Sequence, residues 1–385
     1  MSGLAVRVAR TPDEVDTMRG AWEALAVENP AADPDYLLTL VRHSPLPVRP
    51  HVILLERDGR PEALAVGRVG EVRLGVRLGY ATPLQPRVQA LTIAQGGLVA
   101  ADAKRAEPLL AAVLDALQED SLDVVRLRAR VGSPAHELVT TRPGALVRGH
   151  GEDPIVRWRA RLPETFPEYL QARSAKTRAN VQRYSRKLEK RFGDGLSLRL
   201  FQTPGELPLL VRDTHAVYEK TYQRGLGAGF SDTELDRALR RLGAERGWLR
   251  AWVLYLDGVP SAFWHGTLYR RIFYTGPTGY DPEHRDLRLG TYVLARMAEH
   301  LCDKADWMDF GLGDAEYKRH FGDESWAEED VLLFARRPRP LVVNLARTGV
   351  LEASRAGKAA LERSGKLAAA RRKWRDRLAQ RGASA

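Results

Sequence analysis

The alternation of hydrophobic and polar positions predicts a chain of mixed strands and helices. Apolar residues in strand-like patterns predict strands at residues 4–9, 52–56, 63–69, 91–99 and 124–130. Amphipathic periodicity predicts helices at residues 12–27 and 104–119. The first of these begins with Thr11 as a cap and Pro12 in the first turn. Asp58-Gly59, between two apolar runs, is typical of a two-residue β-hairpin turn.

The second half of the chain repeats this order of elements. Asp257-Gly258 lies between the apolar runs 249–256 and 261–268, and the pattern D-G-x-P-x-A occurs at both Asp58 and Asp257, 199 residues apart. After each hairpin we expect a further strand, a helix and a short strand; the two helices are predicted at residues 104–119 and 287–302, and the two short strands at 123–127 and 306–310. The repetition predicts two similar α/β units, with domains at residues 1–160 and 161–335.

The net charge of +11 comes from the end of the chain. Residues 336–385 contain 14 basic and three acidic side chains, so the preceding 335 residues are neutral in sum. These 50 residues are expected to form a basic helical tail. Hydrophobic residues make up 44% of the sequence, and no apolar run is long enough for a membrane helix. The single cysteine, Cys302, excludes an internal disulfide and a cysteine-rich metal site. We expect a cytoplasmic protein that uses no metal.

A basic helix is predicted between the two units. Residues 163–192 have helical periodicity, and residues 174–191 contain seven Lys and Arg side chains against one Glu. This pattern fits a solvated helix face, and it equally fits a helix that contacts an anionic substrate. Under the second interpretation the contacting side chains include Lys176, Arg178 and Arg183.

Candidate chemistry is concentrated between residues 280 and 322. Tyr280-Asp281-Pro282 precedes a helix that begins near Gly290 and Thr291, where backbone N–H groups could approach an anion closely. Arg285 and Arg288 add positive charge beside that helix start. The stretch Asp309-Phe310-Gly311-Leu312-Gly313 ends a strand with glycines, and Lys318 follows on a short predicted helix. Motifs for a nucleophile elbow, a phosphate loop of the G-x-x-x-x-G-K-[ST] type and histidine metal spacings are absent from the sequence.

These motifs resemble the GNAT acyltransferase superfamily. Y-D-P, a glycine opening a helix, D-F-G-x-G and E-Y-K-x-x-F-G are similar to the branch that contains cellulose-biosynthesis-type acetyltransferase domains and Fem peptidyltransferases. The pattern S-x-K-x-R-x-N-x-x-R starting at Ser174 fits the same branch. The resemblance extends over residues 163–334. It implies tandem GNAT folds, each with a mixed, strongly twisted sheet flanked by helices, and direct acyl transfer to an amine without a covalent enzyme intermediate.

The resemblance also implies roles for individual residues. Lys318 matches a lysine that contributes to the site in Fem enzymes, where it would stabilise an oxyanion or a phosphate. The alternative is a lysine on the surface. Asp309 is compatible with turn chemistry or with a general base, and Tyr317 with core packing or with a catalytic role.

The identity of the acyl donor stays open at this point. CoA-dependent members have a [QR]-x-x-G-x-[GA] loop around the pyrophosphate, and here Arg288 replaces its first glycine. The donor is therefore an acyl-CoA, or an aminoacyl-tRNA as in Fem enzymes. The acceptor would be a small-molecule or lipid-linked amine. A third hypothesis is a non-catalytic module that binds through its tail.

The basic tail has an apolar stripe. Ala360, Leu367, Trp374 and Leu378 share one side of a helical wheel and are flanked by Lys and Arg side chains. Three interpretations fit this pattern: a solvated extension, peripheral contact with the inner face of the membrane, or contact with tRNA or another RNA.

Overall fold

The computed structural model describes residues 3–78, 81–100, 102–119, 122–150, 153–221 and 229–363. The strands are β1 (Leu4–Ala9), β2 (Val48–Arg57), β3 (Arg60–Arg73), β4 (Val76–Leu78), β5 (Ala81–Leu84), β6 (Arg87–Ala100), β7 (Val124–Arg130), β8 (Ile155–Arg161), β9 (Leu196–Phe201), β10 (Leu249–Leu256), β11 (Val259–Tyr269), β12 (Ile272–Tyr280), β13 (Trp307–Leu312) and β14 (Glu324–Phe334). The helices are α1 (Pro12–Thr17), α2 (Arg19–Ala24), α3 (Pro34–His43), α4 (Ala103–Glu119), α5 (Pro134–Thr141), α6 (Phe166–Gln171), α7 (Ala175–Phe192), α8 (Leu207–Tyr218), α9 (Glu234–Glu245), α10 (Leu289–Leu301), α11 (Glu316–Phe321) and α12 (Pro338–Arg363).

Tertiary contacts divide the chain into two compact units. Unit 1 comprises Met1–Leu25, Leu46–Pro154 and Glu329–Ala385, and unit 2 comprises Ala26–Pro45 and Ile155–Glu328. The division departs from the boundaries at 160 and 335 that the repeat predicts. Strand β14 passes from unit 2 to unit 1 at residue 329, and α12 belongs to unit 1 instead of forming a separate domain.

Unit 1 is built on a mixed sheet. Its strands follow the order β1-β2-β3-β6-β7, and the second part of β14 is the next strand. Apolar side chains from one face of this sheet form a core with α4 and α5 that includes Leu91, Val113 and Leu127. The hydrophobic face of α4 therefore positions the connection between β6 and β7.

Unit 2 has a sheet of the same kind. The first part of β14 is followed by β8, β13, β12, β11, β10 and β9. One face packs on α7 and α10 through a core that includes Val181, Trp264 and Val293, and the other packs on α8 through Phe263 and Leu210. Because helices cover both faces, most of the middle of β11 is buried.

The two units repeat one another in detail. Asp58 and Gly59 have φ angles of +49° and +75°, and Asp257 and Gly258 have +49° and +79°, so both hairpins use the same left-handed turn. The register slips between Ala65 and Gly67 in the β3–β6 pair and between Trp264 and Gly266 in the β11–β12 pair. These irregularities are again 199 residues apart. The prediction of tandem α/β units is confirmed.

Two predicted long helices are each broken into two. The helix at residues 12–27 ends at Thr17 and resumes at Arg19, because the N–H of Met18 bonds to Val15 in a tighter turn. The helical segment 163–192 divides at Ser174, whose side chain caps α7 by accepting the N–H of Thr177 at 3.1 Å.

The segment 26–45 lies in unit 2 because polar contacts hold it there. The hydroxyl of Tyr269 donates to Asp33 at 2.9 Å, and the hydroxyl of Tyr274 donates to the carbonyl of Glu28 at 3.1 Å. Helix α3 also packs on α9, where His43 pairs with Glu234. These contacts join residues more than 190 positions apart, so local sequence patterns do not predict them.

The tail is helical as predicted up to Arg363. Residues 364–385, which include Leu367, Trp374 and Leu378, lie outside the described residues. No helix within the described ranges combines the length and apolar character that crossing a bilayer requires.

Candidate active site

The sheet of unit 2 opens between two parallel strands. Strands β12 and β13 pair only from Ile272 to Tyr274 and from Trp307 to Asp309. Beyond these residues β12 stays paired with β11 and β13 with β8. The carboxyl ends of the two parallel strands are therefore no longer joined by hydrogen bonds. Such ends are where ligands bind in open α/β sheets, and the candidate residues of the sequence lie on the elements that follow them.

Lys318 is a buried lysine that faces the end of β13. Its side chain lies on α11, its residue is 5% exposed, and its Nζ donates to the carbonyls of Gly311 at 3.2 Å and Leu312 at 2.6 Å. Burial lowers its pKa below the ordinary lysine value, while the charge of Asp309 opposes that effect. The third Nζ proton has no partner among the described residues. The burial excludes the surface-lysine alternative.

Asp309 is held by two partners. Its Oδ2 accepts hydrogen bonds from Nε of Arg157 at 2.9 Å and from Nη2 at 2.8 Å, and its Oδ1 accepts the N–H of Gly311 at 2.7 Å. Gly311 has φ of +68°, a conformation that favours glycine. This geometry favours the turn interpretation of Asp309, since both carboxylate oxygens are already engaged.

Arg157 was not among the predicted site residues. It lies on β8, is buried, and also approaches Glu328 at 3.6 Å. The alternation of arginines at positions 157, 159 and 161 resembles a solvated strand face. Only the pairing of β8 between β13 and β14 places two acidic side chains beside Arg157, so a local pattern could not identify it.

Tyr317 packs its ring in the core and leaves its hydroxyl unbonded. The ring makes edge contacts with Trp264 and Phe310 at centroid distances of 5.5 and 5.9 Å. Burial raises the pKa of Tyr317 to about 12, so the phenol is protonated at neutral pH. Its hydroxyl has no hydrogen-bond partner in the described part of the chain. The ring has the core role that the sequence left open, and the hydroxyl remains available.

Arg173, which holds the end of α11 in place, was also not among the predicted site residues. Arg173 is buried and donates to the carbonyl of Phe321 at 2.5 Å and to Asp323 at 2.6 Å. Tyr169 donates to the same carbonyl at 3.4 Å. These contacts fix the end of the short helix on which Lys318 and Tyr317 lie. Arg173 directly precedes the Ser174 motif, and this adjacency is the only sequence signal that could have identified it.

The predicted phosphate-binding residues come together at the start of α10. Arg288 is the N-cap residue with φ of +54° and provides no side-chain cap. It thus adopts the left-handed conformation typical of glycine, at a cost of about 1–2 kcal/mol. Thr291 bonds back to the carbonyl of Arg288, but the N–H groups of Leu289 and Gly290 have no described partner.

The surroundings of this helix start are open and positive. Apart from the adjoining residues and the nearby backbone of α10, no described atom lies within 4 Å of the place where a Cβ on Gly290 would be, so packing within the described chain does not demand a glycine there. Arg285 and Arg288 are exposed, and neither guanidinium has a partner among the residues that the structure describes. Tyr280, at the end of β12, is 40% exposed. This arrangement can accept a phosphate group.

The equivalent helix start in unit 1 is closed. Helix α4 connects the parallel strands β6 and β7, as α10 connects β12 and β13. Strand β6 pairs with β7 only from Ala90 to Thr92, so this pair of strands also separates. There Asp102 caps the helix, and its Oδ1 accepts the N–H of Arg105 at 3.0 Å. A carboxylate of the chain thus occupies the position where a donor phosphate would bind. Of these two equivalent helix starts, the one without a side-chain cap is therefore that of α10 in unit 2.

The three basic residues predicted to contact a ligand from α7 differ in their surroundings. Arg178 donates to the carbonyls of Arg173 at 2.5 Å and Gln171 at 3.3 Å, so it fixes the junction with α6 and does not face a ligand. Lys176 is exposed, and Arg183 bonds to Asn180 and Tyr184 on the same helix.

An exposed basic stripe runs along α7. It consists of Lys176, Arg183, Arg186, Lys187 and Lys190, which lie on one side of the helix. Lys187 pairs with Asp286 at 3.0 Å, in the turn that precedes α10. The stripe therefore leads from the start of α7 toward the turn that precedes α10.

The described residues contain no group of three or more His, Cys, Asp and Glu side chains placed to hold a metal ion. The site offers instead a buried cation, a free phenol and an open helix start. This set suits the stabilisation of negative charge and the transfer of a proton.

Comparison with known proteins gives one match to a family model. Residues 175–319 match the family model described as an acetyltransferase (GNAT) domain. A search of curated proteins by sequence finds no match.

Solved structures extend the likeness over both units. FemX is 12% identical, covers 88% of this chain and 100% of its own, and has a TM-score of 0.62. A conserved protein of unknown function from Bacteroides thetaiotaomicron VPI-5482 is 11% identical, covers 86% of this chain and 100% of its own, and has a TM-score of 0.52. At these identities the two likenesses show a shared fold.

Proposed function

We propose that this chain, which contains a match to an acetyltransferase (GNAT) domain and shares its fold with FemX, is an acyltransferase that moves an activated acyl group from a phosphate-bearing donor directly onto an amine. The first candidate donor is an acyl-CoA. The reaction centre is the splayed end of β12 and β13 in unit 2. The acceptor is a small-molecule or lipid-linked amine.

One observation carries this proposal: the start of α10 has no side-chain cap and is flanked by two arginines that have no partner among the described residues, whereas Asp102 caps the equivalent α4. Free N–H groups at a helix start, with the helix dipole behind them, bind a phosphate or pyrophosphate. A donor held there would extend its acyl group along the opening between the two strands. Unit 1 would then support unit 2 or bind the acceptor.

The chemistry needs charge stabilisation and proton transfer. The amine nitrogen of the acceptor attacks the acyl carbon and forms a C–N bond. The bond from the acyl carbon to the sulfur or oxygen of the donor then breaks, and the leaving atom takes a proton equivalent to the one that the amine loses. Lys318 would stabilise the developing oxyanion with its free N–H. Asp309 would act as a positioning residue, since it fixes the turn to which Lys318 bonds.

Replacing Arg288 tests the phosphate site. In Arg288→Gly we expect stability to be unchanged or higher, because glycine adopts the left-handed conformation without strain. Donor affinity should fall by about tenfold, because a charge-assisted hydrogen bond to phosphate is lost. Thermal unfolding and donor titration measure the two effects separately. Arg270→Gly, another exposed arginine with positive φ, is the matched control; equal donor affinity in both variants would contradict the proposed site.

Tyr317→Phe tests the role of the hydroxyl. The substitution keeps the ring contacts with Trp264 and Phe310 and removes only the proton donor. If Tyr317 protonates the leaving group, kcat should fall by about 10²-fold with the melting temperature nearly unchanged. Unchanged turnover with a confirmed substrate would leave Tyr317 as a core residue alone.

An aminoacyl-tRNA is the second candidate donor, and the basic stripe on α7 favours it. The stripe extends from Lys176 to Lys190, which are 14 positions apart, and this corresponds to about 21 Å along a helix. A pyrophosphate does not need so long a positive surface, whereas an RNA backbone does. Activity that depends on tRNA and is lost on ribonuclease treatment would select this donor. Activity with an acyl-CoA that survives the same treatment would select the first.

A further inference from the structure

The C-terminal helix of unit 1 has an apolar face that no described residue covers. Val342 and Leu345 on α12 are 64% and 59% exposed, and Leu146 beside the helix is 64% exposed. Large apolar side chains with this exposure are unusual when they are clustered. The proposed acyl transfer uses none of them.

The opposite face of α12 explains why these side chains point away from the protein. Asn344 donates to the carbonyls of Leu146 at 3.0 Å and Arg148 at 2.9 Å, and buried Arg347 donates to the backbone carbonyl of His150 at 3.2 Å. Those contacts fix the rotation of the helix. Exposed small residues continue the outer face beyond Leu345 at Ala346, Gly349, Ala353 and Ala356.

The sequence continues the same periodicity. In the sequence, Ala360, Leu367, Trp374 and Leu378 follow Val342 by 18, 25, 32 and 36 residues, which are close to multiples of the 3.6-residue helical period. The last three lie outside the described residues, so for them this is a statement about the sequence alone. Residues 336–385 also hold an excess of 11 positive charges. An apolar line with a tryptophan, flanked by Lys and Arg, is the composition of helices that lie in the plane of a membrane surface.

We propose that the apolar face of α12, with Leu146, docks the protein on an anionic lipid surface. The apolar side chains enter the boundary between headgroups and acyl chains, and the basic residues remain at the level of the lipid phosphates. Charge complementarity selects an anionic membrane. An RNA would use the positive charge but would have no use for exposed Val342 and Leu345. The inference does not depend on the acyl donor or the acceptor.

Flotation of the full-length protein with lipid vesicles tests this inference. At about 150 mM salt we expect binding to vesicles in which roughly one third of the lipid is phosphatidylglycerol, and none to phosphatidylcholine alone. The double variant Val342→Glu/Leu345→Glu should bind at least about tenfold more weakly, because two apolar side chains no longer enter the bilayer. The variant should fold normally, since both side chains are exposed.

The matched control is Val259→Glu, which makes the same change at a residue that is 52% exposed in unit 2. It should bind vesicles like the unmodified protein. The proposal is overturned if the unmodified protein does not bind anionic vesicles, or if the double variant binds as well as the control. It is also overturned if the double variant loses affinity for bulk tRNA or loses self-association while vesicle binding is unchanged, because the face would then serve an RNA or a second copy.

Discussion

Lys318→Met is expected to lower kcat/KM for acyl transfer by about 10²- to 10³-fold, the size of effect seen when one oxyanion-stabilising donor is lost. The buried ammonium lies at the end of β13, and one of its N–H groups has no partner in the part of the chain that the structure describes. Some loss of stability is also expected, about 1–3 kcal/mol, because the carbonyls of Gly311 and Leu312 lose their donor. Steady-state kinetics and thermal unfolding separate these effects.

Two further variants distinguish charge stabilisation from a purely structural role. Arg319→Met removes a neighbouring cation whose partner is the exposed Asp314, and it should leave kcat almost unchanged. Lys318→Arg keeps the positive charge at higher pH. Because the pKa of Lys318 lies below the ordinary value of 10.5, activity of the unmodified protein should decline as the pH rises through that lowered pKa. The decline should be absent in Lys318→Arg. A decline that is the same in both proteins would contradict the role.

Arg157→Met is expected to lower the free energy of unfolding by about 3–5 kcal/mol. Arg157 is the cation between two acidic side chains, at 2.8 Å from Asp309 and 3.6 Å from Glu328. Removing it would leave buried carboxylates without their charge partner, and this costs more than the net strength of the ion pair. Chemical denaturation at neutral pH measures the loss.

Arg161→Met is the control, because Arg161 lies on the same strand but its side chain is exposed and has no partner in the described part of the chain. It should change stability by less than about 0.5 kcal/mol. The triple change Arg157→Met/Asp309→Leu/Glu328→Leu should recover part of the loss, since it also removes the two carboxylates that would otherwise lack the guanidinium. Equal stability of Arg157→Met and Arg161→Met would show that the ion pairs of Arg157 with Asp309 and Glu328 do not stabilise the fold.

The fold was predictable where local patterns determine it. The turns at Asp58-Gly59 and Asp257-Gly258 need left-handed backbone, which their residues favour, and the strand predicted at 124–130 occurs exactly there as β7. The exchange of residues 26–45 into unit 2 was not predictable. It depends on contacts such as that between Asp33 and Tyr269, which are distant in sequence.

The candidate site was predictable as a set of motifs but not as a set of roles. Gly290, Lys318 and Asp309 lie in recognisable short patterns, so the sequence locates them. The arginines that fix these elements do not lie in such patterns. Arg157 contacts Asp309 on the neighbouring strand and Arg173 contacts the end of α11, and both contacts join residues that are distant in sequence. The same limit explains Arg178, which has the residue type for anion binding but is committed to backbone carbonyls.

The central claim is that unit 2 binds a phosphate-bearing acyl donor at the start of α10. Its most direct test is thermal unfolding of the full chain with acetyl-CoA, a long-chain acyl-CoA or bulk aminoacyl-tRNA, because a ligand that binds the native state raises the melting temperature. The proposed donor site predicts a rise with one donor class that is lost in Arg285→Gln/Arg288→Gln and kept in Arg270→Gln. A rise that persists in the first variant, or no rise with any of the three donors, would contradict it.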